Sequence, residues 1–274
     1  MGFIEFNHVV KSYSGDVKVI DDITLSIERG EFVTIVGPSG CGKTTLLKMV
    51  NKLIPISQGN IYIDGKDVID WETISLRRSI GYVIQHIGLL PHLNIEDNIN
   101  YVPSISKRKS GIDKNRAKEL IELVGLSDDY LSRYPRQLSG GQMQRIGVAR
   151  ALTADPEIIL MDEPFGAVDE IARTQLQHEI KEIHKKLKKT ILFVTHDIQE
   201  ALKLGTKIVL LKNGKIEQIG TQEELVFKPK SEYVKAFFGL KGFQASLNEN
   251  VMHNVYNRIL LKQETLDGIY RKLE

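Results

Sequence analysis

The chain of 274 residues has a single cysteine, Cys41, so no internal disulfide can form. Its opening stretch, MGFIEFNHVV, lacks the basic end and long apolar run of a signal peptide, and a reducing compartment is expected. No apolar run approaches the roughly 18 residues needed to cross a bilayer, and Phe6 stands where a myristoylation motif needs Ser or Thr. Work at a membrane would therefore require a partner that supplies the membrane part. Charge of either sign is also missing in excess: 37 Lys and Arg face 35 Asp and Glu, a formal net charge of +2. That balance carries no nucleic-acid footprint, so no nucleic-acid partner is expected and any anionic ligand must be held locally. Internal repeats and low-complexity segments are absent as well, and the length leaves room for one sizeable core.

What is present divides into three kinds of pattern. FIEFNHVV, VKVIDDITLSI and GNIYIDG mix short β-type runs with turn residues and predict an antiparallel sheet near the N-terminus. FVTIVG (32–37), EIILMD (157–162) and ILFVTH (191–196) are nearly continuous apolar runs, as in parallel strands covered on both faces. Between the first two of these, Ala117, Leu120, Ile121 and Val124 recur at helical spacing, with Asp113 placed to cap the helix and Gly125 to stop it. Further on, Asn213-Gly214 between alternating stretches is a two-residue hairpin signal. After Leu240, Val251, Val255 and Ile259 recur every four residues and predict a short amphipathic tail.

Two stretches carry chemistry. GPSGCGKTT, Gly37 to Thr45, follows a strand and opens a helical run, which is the context of a phosphate-binding loop. Gly37, Pro38, Ser39, Gly40, Cys41 and Gly42 supply the curl of backbone amides, and the helix start adds positive potential. Lys43 would reach β- and γ-phosphates and Thr44 would ligate Mg²⁺, with Thr45 continuing the turn. The pattern alone would arise by chance in roughly one chain in a hundred of this length, and the strand and helix around it lower that further. Cys41 inside the loop reads as a small filler rather than a redox sensor. In IILMDEP, an apolar strand delivers Asp162 at its C-terminal end, where open α/β sheets bind ligands, so Asp162 would hold Mg²⁺. Glu163 would then orient or deprotonate an attacking water; the plainer alternative is an acidic strand end that caps a helix. His196 ends the strand of ILFVTH at the same sheet edge.

A second glycine-rich stretch, LSGGQMQR (138–145), has no lysine in gripping position and no strand directly before it. Together with GPSGCGKTT, IILMDEP, the Gln of GYVIQ and FVTHD, in this order, it makes residues 3 to about 240 closely resemble ATP-binding cassette ATPases. The resemblance implies an α/β phosphate-loop NTPase core with a mostly parallel sheet. An N-terminal antiparallel β subdomain and an inserted helical subdomain at about 86–155 would complete a cassette of residues 1–240, with 241–274 as a helical tail. It further implies that two copies pack head to tail, so that Ser139, Gly140, Gly141 and Gln142 of one cover the ATP on the phosphate loop of the other. Carried over by position, Tyr13 would stack on adenine, although a tyrosine there also suits an ordinary turn. Gln85 would sense Mg²⁺ and γ-phosphate, His196 would hold the γ-phosphate, and Asp169 would cross the dimer seam. This chain has Val168 and Glu170 where similar members usually show Leu and Pro.

Within that family, IGYVIQHIGLLPHLNIEDNI and DEPFGAVDEIARTQLQHEIKEI look most like ATPase subunits of importers for quaternary-amine osmoprotectants. The resemblance implies a peripheral protein on the cytoplasmic face of the membrane, joined to permease subunits and served indirectly by an extracytoplasmic substrate-binding protein. The 34 residues after Leu240 are too few for the pair of regulatory modules that many such relatives carry. An importer ATPase for another solute, such as an amino acid or sulfonate, stays open. A cassette acting in DNA repair or translation would usually show a second cassette or a coiled-coil, zinc or basic insertion, and none is seen.

Overall fold

The computed structural model describes residues 2–13, 17–85, 88–105, 114–166 and 168–246, together with residues 257, 260 and 261. In chain order the strands are β1 (Ile4–Ser12), β2 (Lys18–Ile27), β3 (Phe32–Val36), β4 (Gln58–Ile63), β5 (Lys66–Asp67), β6 (Ile80–Val83), β7 (Ile158–Asp162), β8 (Thr190–Thr195), β9 (Lys207–Lys212) and β10 (Lys215–Gly220). The helices are α1 (Lys43–Val50), α2 (Thr73–Ser79), α3 (Ile95–Ile99), α4 (Tyr101–Ser104), α5 (Lys114–Leu123), α6 (Gly140–Leu152), α7 (Glu170–Leu187), α8 (Ile198–Leu204), α9 (Gln222–Phe227) and α10 (Glu232–Ser246).

The three apolar runs become β3, β7 and β8, central strands of a sheet ordered β10-β9-β3-β8-β7-β6, in which all neighbours are parallel except the β9-β10 hairpin. Their alternate side chains feed two different cores, which is why the runs are apolar throughout rather than alternating. Val33, Ile35, Ile158, Leu160, Leu192 and Val194 enter one core with α1 and the antiparallel sheet, while Phe32, Ile159, Met161, Ile191 and Phe193 enter another with α3, α5, α6 and α7. The N-terminal strands pair antiparallel in the order β2-β1-β4-β5. The β9-β10 turn places Asn213 at φ 48° and Gly214 at φ 75°, the left-handed pair that a tight hairpin of this twist requires. The fold is thus the α/β arrangement expected from the sequence.

Between β6 and β7 the chain leaves the sheet. Ala117, Leu120, Ile121 and Val124 are all buried against Ile146 and Ala149 of α6, as their spacing predicts, and the Leu126 amide closes the helix end on the Ile121 carbonyl. Asp113, the expected cap, lies outside the described residues. At the other end, α10 runs past residue 240 to Ser246 with a break in its helical backbone at Gly239. Phe243 meets Phe227 of α9 edge-on, with ring centroids 6.3 Å apart, so the first residues past 240 pack on the body of the protein. Val251, Val255 and Ile259 of the expected tail lie outside the described residues. Among the described residues no helix is long and apolar enough to cross a membrane.

Candidate active site

Because β3, β6, β7 and β8 run parallel, the loops that follow them leave from one edge of the sheet. Gly37, Gln85, Asp162 and His196 are therefore neighbours in space. After β3 the phosphate loop turns into α1 through Gly42, whose φ of 104° no other residue adopts readily; a Cβ there would lie 2.7 Å from the Val19 carbonyl oxygen. Lys43 is buried, and its ammonium donates to the Gly37 and Pro38 carbonyls at 2.8 and 3.0 Å. Two of its three donors thus hold it over the loop and the third is available to a ligand oxygen. Cys41 is buried with its thiol pushed up by that burial, and its carbonyl accepts from the Gly214 amide, in keeping with a loop filler. Ser39, Gly40, Thr44, Thr45 and Glu163 complete a cleft of about 310 Å³ with Gly42, Lys43 and Val19.

Asp162, at the end of β7, accepts the Thr44 hydroxyl at 2.7 Å. Two further groups attend it that the sequence reading missed: the Lys48 ammonium at 3.8 Å and the Tyr82 hydroxyl. Burial first, and the Asp162 charge second, raise the Tyr82 hydroxyl well above its ordinary value, so it stays a donor to the carboxylate. Lys48 was legible, standing four residues after Thr44 on the same helix face; Tyr82 was not, because it comes from β6. A hydroxyl beside a carboxylate is the hard oxygen set that suits Mg²⁺, which is typically bound by one or two carboxylates plus substrate phosphates.

Glu163 leaves the strand in a left-handed conformation, φ 44°, pinned by its amide donating to the Val194 carbonyl at 2.9 Å. For a residue with a Cβ this costs roughly 1–2 kcal/mol. The turn aims the side chain sideways, where Oε2 accepts from Gln85 Nε2 at 3.3 Å and from His196 Nδ1 at 3.1 Å. An ionised carboxylate only accepts, so Nδ1 is the donor in this contact and Nε2 is left for other partners. Gln85, expected to sense Mg²⁺ and γ-phosphate, thus stands beside Glu163 at the same sheet edge.

The turn that presents His196 is anchored from below. The Thr195 hydroxyl donates to Glu200 of α8 and accepts the Asp197 amide at 3.0 Å, while Asp197 caps α8 through the Gln199 amide at 2.7 Å. Burial, aided by the Asp197 charge, pushes the Glu200 carboxyl up to about 7, against the Thr195 hydrogen bond that favours its charged form. With the folded value above the ordinary 4.5, the cost of ionising Glu200 in the fold is absent below pH 4.5, grows toward pH 7 and is constant above it. Glu200→Gln should therefore gain thermal stability over the wild type as pH rises through that window, by on the order of a few kcal/mol at most. Melting curves at about pH 5 and about pH 8 check this; a variant that loses stability relative to the wild type at the higher pH contradicts it.

The signature stretch opens α6, which packs on α3, α5, β6 and α7, whereas α1 packs on β2, β7 and β8. Exposed Ser139 is the N-cap, its hydroxyl oxygen accepting the Gln142 amide at 3.3 Å while Gln142 Oε1 accepts the Ser139 amide at 2.9 Å. Gly141 is buried toward the start of α7, where a Cβ would come 3.3 Å from that of Ala172. Asp169 caps α7 by accepting the Ala172 amide at 3.0 Å, so its carboxylate is engaged within the chain. Val168 is buried, and Glu170 brings negative charge to the first turn of α7, a different device for starting a helix from the fixed φ of proline. Tyr13 stands 60% exposed at the end of β1 with the Lys11 ammonium 4.9 Å from its ring centre, which leaves a ring face open for stacking.

A family model described as ABC transporter matches residues 20–166. The chain belongs to the ABC transporter family. Among its relatives, the carnitine transport ATP-binding protein OpuCA of Listeria monocytogenes is 52% identical over 86% of this chain and 59% of its own length. The choline transport ATP-binding protein OpuBA of Bacillus subtilis is 51% identical over 86% of this chain and 62% of its own length. The chain thus spans about three-fifths of the curated relatives it matches. Among solved structures, a dimeric ATP-binding cassette in a post-hydrolysis state, bound to ADP and Pi, superposes with a TM-score of 0.72 at 34% identity, covering 80% of this chain and 98% of its own.

Proposed function

We propose that this chain is the ATP-hydrolysing subunit of an importer for quaternary-amine osmoprotectants such as carnitine, choline or glycine betaine. The observation that carries the enzymatic part is the meeting of Gln85 and His196 on one oxygen of Glu163, which lines a cleft with Lys43 and Thr44, the latter bonded to Asp162. The phosphate-loop amides, the start of α1 and Lys43 hold phosphate oxygens, and Tyr13 stacks on the adenine. Thr44 and Asp162 hold Mg²⁺, which when bound neutralises charge developing on the phosphates. Glu163 aligns the attacking water and takes its proton, with its carboxylate steadied by Gln85 and His196.

In the same reading two copies close head to tail on ATP, so that Ser139 and the start of α6 in one copy face the phosphates on the loop of the other. As an acceptor in its cap, the Ser139 hydroxyl keeps its own proton to donate, and the helix start adds positive potential. The solved relative that is dimeric and bound to ADP and Pi supports the pairing of two copies. The names of the relatives at 50–52% identity support the solute class. The dimer would sit on the cytoplasmic face of the membrane, coupled to permease subunits that receive solute from an extracytoplasmic binding protein. Membranes holding this chain with its cognate permease and binding protein should accumulate labelled carnitine, choline or glycine betaine only when ATP is supplied. Uptake of a sulfonate or amino acid with no response to any quaternary amine would reject the solute class and leave the ATPase assignment standing.

A further inference from the structure

Gln142 belongs to the signature stretch, yet its side chain is committed inside its own chain. While Oε1 accepts the Ser139 amide at 2.9 Å, Nε2 donates to the Tyr130 hydroxyl at 3.1 Å. Tyr130 is itself well fixed. Its ring packs against the core shared by α5, α6 and α7, and the Arg133 guanidinium lies 3.9 Å over its face, tethered by Asp129 at 2.8 Å. The Arg133 carbonyl accepts the Ile95 amide at 2.9 Å, which ties this loop to the start of α3. Ser139, by contrast, is exposed, and its two cap hydrogen bonds both run to Gln142. The Gln142 amide is therefore a strut between a rigid tyrosine and an exposed serine.

We propose that Tyr130 is the positioning residue for Ser139: its hydroxyl, acting through Gln142, sets the height and direction at which one copy offers the Ser139 hydroxyl to the nucleotide on the other. The terminal torsion of glutamine is broad, so the amide is oriented by what it bonds to rather than by its own rotamer. Removing the Tyr130 hydroxyl leaves Nε2 without its acceptor and the Ser139 cap with one restraint fewer. Tyr130→Phe removes that oxygen and nothing else of the ring, so the packing against the core and the stacking of Arg133 persist.

The inference rests on the head-to-tail reading, and mixed dimers in a Glu163→Gln background separate the two. With Lys43→Ala in one protomer a single site remains, built from the phosphate loop of the second protomer and the signature of the Lys43→Ala protomer. Tyr130→Phe placed in the Lys43→Ala protomer should raise the ATP concentration for half-maximal trapping by roughly 3- to 10-fold, the scale of one hydrogen bond. The same substitution in the opposite protomer should leave it unchanged. A merely structural loss would shift both arrangements alike and overturn the proposal. Ser139→Arg in the same two placements is the reference. If Ser139→Arg impairs trapping only in the Lys43→Ala protomer while Tyr130→Phe changes neither dimer, the head-to-tail reading stands and the role of Tyr130 is wrong; if Ser139→Arg is indifferent to placement, or impairs trapping only in the opposite protomer, both fall together.

Discussion

Glu163→Gln should lower steady-state ATP hydrolysis by roughly 10² to 10⁴ while nucleotide binding persists. The substitution is nearly isosteric, and the amide oxygen has two lone pairs with which to accept the Gln85 and His196 donors that now converge on Oε2. What the amide cannot do is take a proton from water. The loss therefore falls on the chemical step, and the phosphate loop, with Lys43 held on the Gly37 and Pro38 carbonyls, is untouched. Lys43→Ala should behave in the opposite way, weakening nucleotide binding itself, because it removes a cation from the middle of the loop. Parallel measurements of turnover and equilibrium nucleotide binding distinguish the two variants. Turnover of Glu163→Gln at the wild-type rate would show that the base lies elsewhere.

The placement of the catalytic groups follows from strand type more than from any one motif. Three apolar runs announce parallel strands buried on both faces, and parallel strands deliver their C-terminal ends to one edge, so Gly37, Asp162, Glu163 and His196 could be expected together before any contact was known. The hairpin at Asn213-Gly214 and the helix through Ala117, Leu120, Ile121 and Val124 were legible for equally local reasons, turn chemistry and period. Less legible were pairings across elements. Tyr82 reaches Asp162 from a four-residue strand too short to announce itself, and Tyr130 meets Gln142 between two elements of the helical layer. Asp169 and Gln142, expected by resemblance at the dimer seam and over the nucleotide, each also hold a cap within their own chain, since helix starts need acceptors and side-chain oxygens there supply them. Of the helical tail expected after residue 240, the described part up to Ser246 is helical and continues α10, with a break in helical backbone at Gly239.

In the proposed head-to-tail dimer the second glycine-rich stretch serves a nucleotide bound to another copy. This is tested most directly by counting ATP trapped in purified mixed dimers in a Glu163→Gln background. When Lys43→Ala is in one protomer and Ser139→Arg in the other, both defects fall in the same shared site and the second site is whole. When both substitutions are in one protomer, its phosphate loop spoils one site and its signature spoils the other. One trapped ATP is expected in the split dimer and essentially none in the dimer carrying both changes on one chain. The reverse pattern, none in the split dimer and one in the other, would mean that Ser139 attends the nucleotide of its own chain and would contradict the head-to-tail site.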